Sequence, residues 1–347
     1  MSVPTSNSVP APRRAGASIS DVARLAGVSA QTVSRVSNES ENVLPSTRQR
    51  VLDAMEQLGY APNRAARALR TGSFAAIGVV VHRLARTGES STVDAIVDAA
   101  RREGYTVNLV DVASPSSDDV TAALQRLSNQ SVDGLVIVRA ETTTPTSLAL
   151  PARTPVVVAD SRFIGHHPAV GADQVTGASQ AVEHLLGLGH ATVHLLAGPV
   201  ESGPAQLRAQ AWRTTLERAG RRVPAPVQGD WSAQSGYEAG RVLALDPEVT
   251  AVFSANDEMA TGLLHALHEA GRRVPQDVSV VGFDDIPLAS HLWPPLTTVR
   301  QDFTRVGEEL VRLLLEQIRS RSAFVDRNVV VPAPLIERAS TAPPPPR

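Results

Sequence analysis

Apolar residues follow two different rhythms along this chain, and the change falls near residue 75. Before it, they recur at helical spacing in short stretches. Asp21 to Ala26 predicts a short helix with Val22 and Leu25 on its apolar side, and Gly27-Val28 a tight turn. Ser29 supplies an N-cap oxygen for a second helix ending at about Val36. A third helix, STRQRVLDAMEQLGY from Ser46, carries Val51, Leu52, Met55 and Leu58 at helical spacing. Beyond Ala75 the apolar residues come in short continuous runs: IGVVV (77–81), VNLV (107–110), GLVIV (134–138) and VVVAD (156–160). Amphipathic segments 91–103 and 117–129 lie between them. The alternation resumes with ATVHLLAG, AVFSAND and VSVVGFDD, separated by predicted helices near 174–188, 204–219, 232–244 and 259–270. Continuous apolar runs suit strands buried on both faces, so this βαβ order predicts an α/β body of open, doubly wound parallel sheets. Two such series in tandem predict two lobes with a cleft between them. Ligands in such folds sit beyond the carboxyl ends of the strands.

Two short helices joined by a glycine turn read either as an ordinary helical hairpin or as a helix-turn-helix whose second helix enters a DNA major groove. The outward side chains of that helix are Ala30, Gln31, Thr32, Ser34 and Arg35. Gln matches the edge of adenine, Arg that of guanine, and hydroxyls suit phosphates. Charge points the same way. Residues 1–72 hold nine Arg against five acidic residues, a balance of +4, whereas the remainder holds 24 Arg against 30 acidic residues, a balance of −6. A basic head on an acidic body fits one region facing phosphate.

Composition narrows the chemistry. With no Cys and no Lys, disulfides, thiolate nucleophiles, Schiff-base lysines and P-loop lysines are excluded, and all 33 basic residues are Arg. No G-x-S-x-G or H-E-x-x-H occurs, and Gly187-Leu188-Gly189 follows a helical pattern and lacks the third glycine of a dinucleotide fingerprint. No enzyme activity, cofactor or metal is expected; His265 and His268, one helical turn apart, read as a solvated or dimer-face pair. No long apolar run predicts a membrane span. The first ten residues are polar, so no secretory signal is expected and the location is cytoplasmic, with the nucleoid. Residues 1–18, rich in Pro, Ser and Ala, and residues 339–347 read as tails.

Longer strings sharpen this picture. DVARLAGVS, TVSRV, the third helix and APNRAARAL resemble the DNA-binding headpiece of the lactose/galactose repressor family. EHLLGLGH, HLLAGP, GDWSAQSGY, ANDEMATG, VSVVGFDDI and PPLTTVRQDF resemble its sugar-responsive bodies, so the likeness spans nearly the whole chain. The resemblance implies a headpiece over 19–62 and a hinge helix and linker over 63–72. The body then spans 73–338, with lobe 1 about 73–172 and 303–331 and lobe 2 about 173–302 and 332–338. It adds Asn38, Asn63, Ala66 and Leu69 to the DNA-contacting set, with Leu69 as a wedge in the minor groove flanked by arginines. It implies a homodimeric repressor of a palindromic double-stranded operator, with Asp160, Arg208, Trp231, Asn256, Asp284 and Gln301 holding a galactoside or related β-glycoside that releases it. A different glycoside or a corepressor on the same fold is the alternative, and a transport-type sugar-binding protein is a more distant one.

On the residues alone, Asp160, Asn256, Asp257, Asp284 and Asp285 at strand ends read either as helix caps or as ligand contacts. Arg, Asn and Asp make directional hydrogen bonds to hydroxyls, and an indole face covers the apolar side of a pyranose. Trp212 and Trp293 read as structural. Two departures from the family stand out. Ala30 replaces a bulky aromatic found in a close family member, so the operator should differ. HRLARTGESSTV after the first strand differs from the same segment of that family member and, by the resemblance, contributes to one pocket wall. The long terminal Leu-heptad helix of a tetrameric family member is absent.

Overall fold

The computed structural model describes residues 17–37, 40, 42–60, 72–112, 117–129, 132–138, 154–160, 167–320 and 327–346. The chain divides into two compact units, Met1–Phe74 and Ala75–Arg347.

Among its described residues the first unit holds three helices, α1 (Ile19–Ala26), α2 (Ala30–Ser37) and α3 (Pro45–Leu58). Ser18 opens α1 with a reciprocal cap: its hydroxyl accepts from the Asp21 N–H, and the Asp21 carboxylate accepts from the Ser18 N–H at 3.0 Å. Gly27 closes α1 at φ +65°, a conformation a side chain would strain. The expected Ser29 cap is present, its Oγ accepting from the Thr32 N–H at 3.1 Å. The third helix starts one residue before Ser46, at Pro45, where a missing N–H costs nothing. Val22, Val33, Val36, Val51, Ala54 and Met55 form the core. Leu25 is a correction: it is 50% exposed, and Ala23 and Ala26 take the buried face with Val22. Leu52 and Leu58 are exposed too. The small alanines let α1 lie close on α3, and so short a unit has no room to receive the leucines.

In the body, one six-stranded sheet joins β1 (Ala76–His82), β2 (Thr106–Val112), β3 (Gly134–Val138), β4 (Val156–Ala159), β5 (Ala169–Ala172) and β11 (Asn328–Val331), ordered β11-β5-β4-β3-β1-β2 with every pair parallel. Its helices are α4 (Thr87–Arg102), α5 (Ser117–Ser128) and α10 (Phe303–Ser320). The continuous run in β1 feeds two cores. Ile77, Val79 and Val81 meet α4 and α10, while Ala76 and Val80 meet α5 through Leu124 and Leu127. That two-sided burial is why the strand shows no polar alternation. Helix α4 begins a turn earlier than the expected residue 91, and α10 was not among the predicted helices.

The second sheet joins β6 (His194–Ala197), β7 (Val227–Gln228), β8 (Ala251–Ser254), β9 (Ser279–Asp284), β10 (Thr297–Arg300) and β12 (Leu335–Ile336), ordered β12-β10-β9-β8-β6-β7. Only the β10–β12 pair is antiparallel. Helices α6 (Gln174–Gly187) and α7 (Gly203–Arg218) cover one face, α8 (Ala233–Ala244) and α9 (Asp257–Glu269) the other. Trp212 is buried in the first of these layers and donates to Val193 O at 2.9 Å. Trp293 corrects the structural expectation: it is 94% exposed.

The chain end is a further correction. Residues 339–342 are no tail but a strap docked on this lobe. Ser340 is fully buried, its Oγ donating to Val280 O at 2.6 Å and accepting from the Thr297 N–H at 2.8 Å. Ser279 Oγ and the Ala342 backbone bond in both directions. A Pro-rich composition hid hydroxyls that satisfy the sheet's backbone.

His190 lies under this strap, its ring nitrogens within 3.0 Å of Thr250 Oγ1 and Ala342 O. Burial holds its pKa below the usual histidine value, and His194 shifts the same way for the same reason. The unfolded chain therefore takes up protons at pH values where the folded chain does not. The stabilisation is complete above about pH 6.5 and is lost as pH falls below it. The melting temperature should drop between about pH 7.5 and about pH 5.5, and His190→Asn should show a smaller drop. Equal pH slopes for parent and variant would exclude this role.

Candidate functional site

The second helix of the first unit presents Ala30, Gln31 and Arg35 as exposed side chains, with Thr32 and Ser34 half-buried. Thr32 Oγ1 lies 3.0 Å from Ser29 Oγ, so its hydroxyl helps secure the start of α2. Val33 and Val36 anchor the opposite side. The surface offered to a partner is thus short and polar, with one guanidinium. Asn38, Asn63, Ala66 and Leu69 lie outside the described residues.

The other site is built in the body on a buried arginine. Arg208, from the first turns of α7, is 1% exposed. Its Nε donates to Gln174 Oε1 at 2.8 Å, Nη1 donates to the Ala255 carbonyl, and Nη2 lies 3.5 Å from Asp284 Oδ1. Its guanidinium also lies 3.7 Å from the Phe283 ring centroid and 5.5 Å from that of Trp231. Gln301 closes the network, donating to Asp284 Oδ1 at 2.5 Å and accepting from Gln174 Nε2 at 2.8 Å. The ends of β8, β9 and β10 and the starts of α6 and α7 are tied to this one cation.

Asn256 fulfils the helix-cap reading. Its Oδ1 caps α9 by accepting from the Met259 N–H at 3.0 Å, while Nδ2 donates to Trp231 O and to Glu258 at 2.7 Å. Asp257 is fully buried and structural, accepting from Thr298 Oγ1 at 2.6 Å and the Ile286 N–H at 2.9 Å. Burial first, and the nearby Asp284 next, push its pKa well above the usual carboxylate range. Asp285 is structural as well, held by Arg300 and Arg338 at 2.6 Å each.

Trp231, Asp284 and Asp285 all take positive φ, at +79°, +118° and +54°. Non-glycine residues in that region signal a backbone held by its surroundings. Trp231 is packed against Gly198, where an added Cβ would lie 2.4 Å from the indole. The buried indole Nε1 finds no acceptor among the described residues.

These groups face a cleft of about 470 Å³ between the lobes. Arg208, Trp231, Asn256 and Asp284 line it, so four of the six expected residues converge. Asp160 and Gln301 line a separate small cavity of about 50 Å³ behind it, which shares Gly88 with the main cleft. Gln301 reaches the cleft through Asp284 and, by way of Gln174, through Arg208. The opposite wall holds Arg83, Arg86 and Glu89, and Thr87 donates across the cleft to Glu258. Sequence reasoning named this wall as a segment but none of its residues. The strand-end rule could have found them, since Arg83 directly follows β1. Among the described residues no cluster of acidic and His side chains could hold a metal, and no helix is long and apolar enough to cross a membrane.

A helix-turn-helix unit ahead of two parallel-sheet lobes that share a polar cleft defines a class: DNA-binding regulators that respond to a small molecule. Residues 18–63 match bacterial regulatory proteins of the lacI family, and residues 182–341 match the periplasmic binding protein-like domain. The lactose operon repressor of Escherichia coli (strain K12) is 38% identical over 338 residues, covering 93% of this chain and 90% of the relative. The crystal structure of the Lac repressor dimer bound to operator and the anti-inducer ONPF superposes with a TM-score of 0.82 at 35% identity, covering 94% of this chain and all of that one. A complex of the transcriptional regulator CelR with cellobiose gives 0.68 at 31%, covering 93% and 99%. The chain belongs to the lacI family of bacterial regulatory proteins.

The packing of Trp231 gives a direct check. Gly198→Ala drives a methyl into the indole, and overpacking of this kind costs about 1–3 kcal/mol. The variant should melt several degrees lower than the parent and show altered tryptophan emission; an unchanged melting curve and spectrum would mean the indole does not rest there.

Proposed function

We propose that this protein is a dimeric transcriptional repressor that holds a palindromic operator through its helix-turn-helix and lets go when a galactoside or related β-glycoside enters the body cleft. The observation that carries the effector reading is the buried Arg208–Asp284–Gln301–Gln174 network opening beside Trp231. Such a wall offers fixed donors and acceptors to adjacent hydroxyls, and the indole offers an apolar ring face. The family relatives named for lactose and crystallised with cellobiose support the glycoside class.

The two lobes meet across this cleft, so a ligand touching both walls favours one lobe arrangement over the other. Only such a difference in affinity between two states can move operator binding. In the headpiece, Gln31 and Arg35 are placed to read base edges, with Thr32 and Ser34 toward the backbone, Ala30 leaving a small contact, and Asn38 extending the set. Asn63, Ala66 and Leu69 supply the minor-groove part, with Leu69 as the wedge. Asp160 and Gln301 support the pocket from the small cavity behind it. A palindromic operator calls for two-fold protein symmetry, hence the dimer.

Arg35→Ala should cost about 1–3 kcal/mol of operator affinity and relax preference at one base pair, read by fluorescence anisotropy on a set of single-base operator variants. A uniform loss across all the sequences would make Arg35 a phosphate contact.

For the effector, isothermal titration with galactosides, glucosides and a purine control decides the class. A β-glycoside should bind and weaken operator binding in the same preparation. Asp284→Asn keeps the shape of the buried network but replaces one carboxylate oxygen by a donor. It should lower sugar affinity by about ten- to a hundred-fold, about 1–3 kcal/mol, and give a protein that represses without responding. Binding of the purine and of no sugar would overturn the reading.

A further inference from the structure

A hydrogen bond joins the two walls of the cleft. Thr87, the first residue of α4 in lobe 1, donates its hydroxyl to Glu258 in the first turn of α9 in lobe 2. The second oxygen of that carboxylate accepts from Asn256 Nδ2 at 2.7 Å, and the same amide nitrogen donates to Trp231 O at 3.0 Å. The chain of bonds runs from the start of α4, across the cleft, to the backbone of Trp231 at its φ of +79°. Helix ends explain why a carboxylate suits this place. The first four N–H groups of a helix have no partner within it, and a negative charge beside them is favourable. Arg86 stands at the N-cap of α4, and an arginine side chain has no acceptor to offer those groups. Glu258 brings a carboxylate to that end from the other lobe. It also lies in the first turn of its own helix, where Asn256 is the cap.

Resting on the reading above that a sugar in the cleft releases the operator, we propose that Thr87 and Glu258 form an interlobe clasp: it holds the ligand-free, operator-binding arrangement, and an effector must open it. The two residues belong to lobes built on separate sheets, so the contact exists in one lobe arrangement and is lost when the lobes shift. It is thus an interaction in which two states differ, which is what a population shift needs. Thr87, Glu258, Asn256 and Trp231 all line the same cleft, so a ligand seated against the indole arrives beside the clasped carboxylate. A sugar hydroxyl is the same kind of donor as the threonine hydroxyl, and the two compete for Glu258 without any change of charge. Both clasp residues are half-buried, and a hydrogen bond to a charged acceptor is among the stronger ones. Opening leaves Glu258 on Asn256, so the carboxylate keeps a donor and the contact is reversible. The clasp therefore opposes effector binding and supports operator binding by the same amount, since coupling is reciprocal.

The test compares full-length Thr87→Val, which removes the hydroxyl but keeps the branched shape, with Thr87→Ser, which keeps the hydroxyl; melting curves are the folding control. Each protein is titrated calorimetrically with lactose, cellobiose, methyl β-galactoside and methyl β-glucoside. Each is also titrated, by fluorescence anisotropy, onto a palindromic operator that the parent protein has selected from random DNA. Thr87→Val should bind the sugar that the parent prefers about three- to ten-fold more tightly, and without sugar should hold the operator about three- to ten-fold more weakly. Thr87→Ser should match the parent in both assays. Parental values for Thr87→Val in both assays, or equal changes in the two variants, would overturn the clasp. Weaker sugar binding by Thr87→Val at unchanged operator affinity would overturn it as well, and would make the hydroxyl a ligand contact. Failure of every sugar to bind would remove the glycoside reading, and the operator assay, which needs no sugar, would still decide the clasp.

Discussion

A single buried cation sets the architecture of the second lobe. Removing a guanidinium from water costs several kcal/mol unless hydrogen bonds and an opposite charge replace the solvent. Arg208 meets that demand with Gln174, the Ala255 carbonyl and Asp284, and by stacking over Phe283. These partners come from the start of α6 and the ends of β8 and β9, so satisfying one cation fixes several elements relative to one another. The consequence reaches the cleft directly. Asp284 is held at a φ of +118° with Gln301 on its carboxylate, and Trp231 lies over the same guanidinium at φ +79°. A ligand meeting this wall finds groups already oriented, so little ordering entropy is lost on binding.

The parallel sheets and most of their helices are legible from the sequence because strands buried on both faces leave continuous apolar runs, and the intervening helices repeat every three to four residues. What escapes is whatever depends on contacts between distant segments. The strand pairs β5–β11 and β10–β12 involve segments of two to four residues, too short to carry a period. Ser340 reads as tail chemistry, yet its hydroxyl meets Val280 and Thr297, some forty to sixty residues away, and no local pattern announces that. Leu25 shows the converse error: hydrophobicity alone placed it inwards, but which residues face inwards is decided by the partner helix, and the alanines beside it allow the closer approach.

The candidate site divides in the same way. Arg208, Trp231, Asn256 and Asp284 were found because they follow strands or sit in strings shared with a family, and they do converge. Asp160 and Gln301 sit behind them, Gln301 acting through Asp284. The opposite wall was named only as a segment, because nothing local distinguishes Arg86 and Glu89 from the solvated Arg–Glu pairs common on helices. Arg312 with Glu316 on α10 is such a pair, four residues apart at the surface. Burial separates the two cases, and burial is a property of the fold.

The absence of lysine gives this division a further meaning. With no lysine, every guanidinium or ammonium side chain in the protein is an arginine and keeps its charge through the whole physiological range. Arg208 can therefore be buried without the escape that a buried lysine has, losing its proton, so its pairing with Asp284 cannot be relaxed by deprotonation of the cation. Among the described residues that line the cleft, the groups that titrate on the acid side are carboxylates and none is a histidine. His190 and His194 lie instead within lobe 2, where burial lowers their pKa. Below the usual histidine pKa, acid thus weakens the lobe that carries the strap, through two histidines that are not among the described residues lining the cleft.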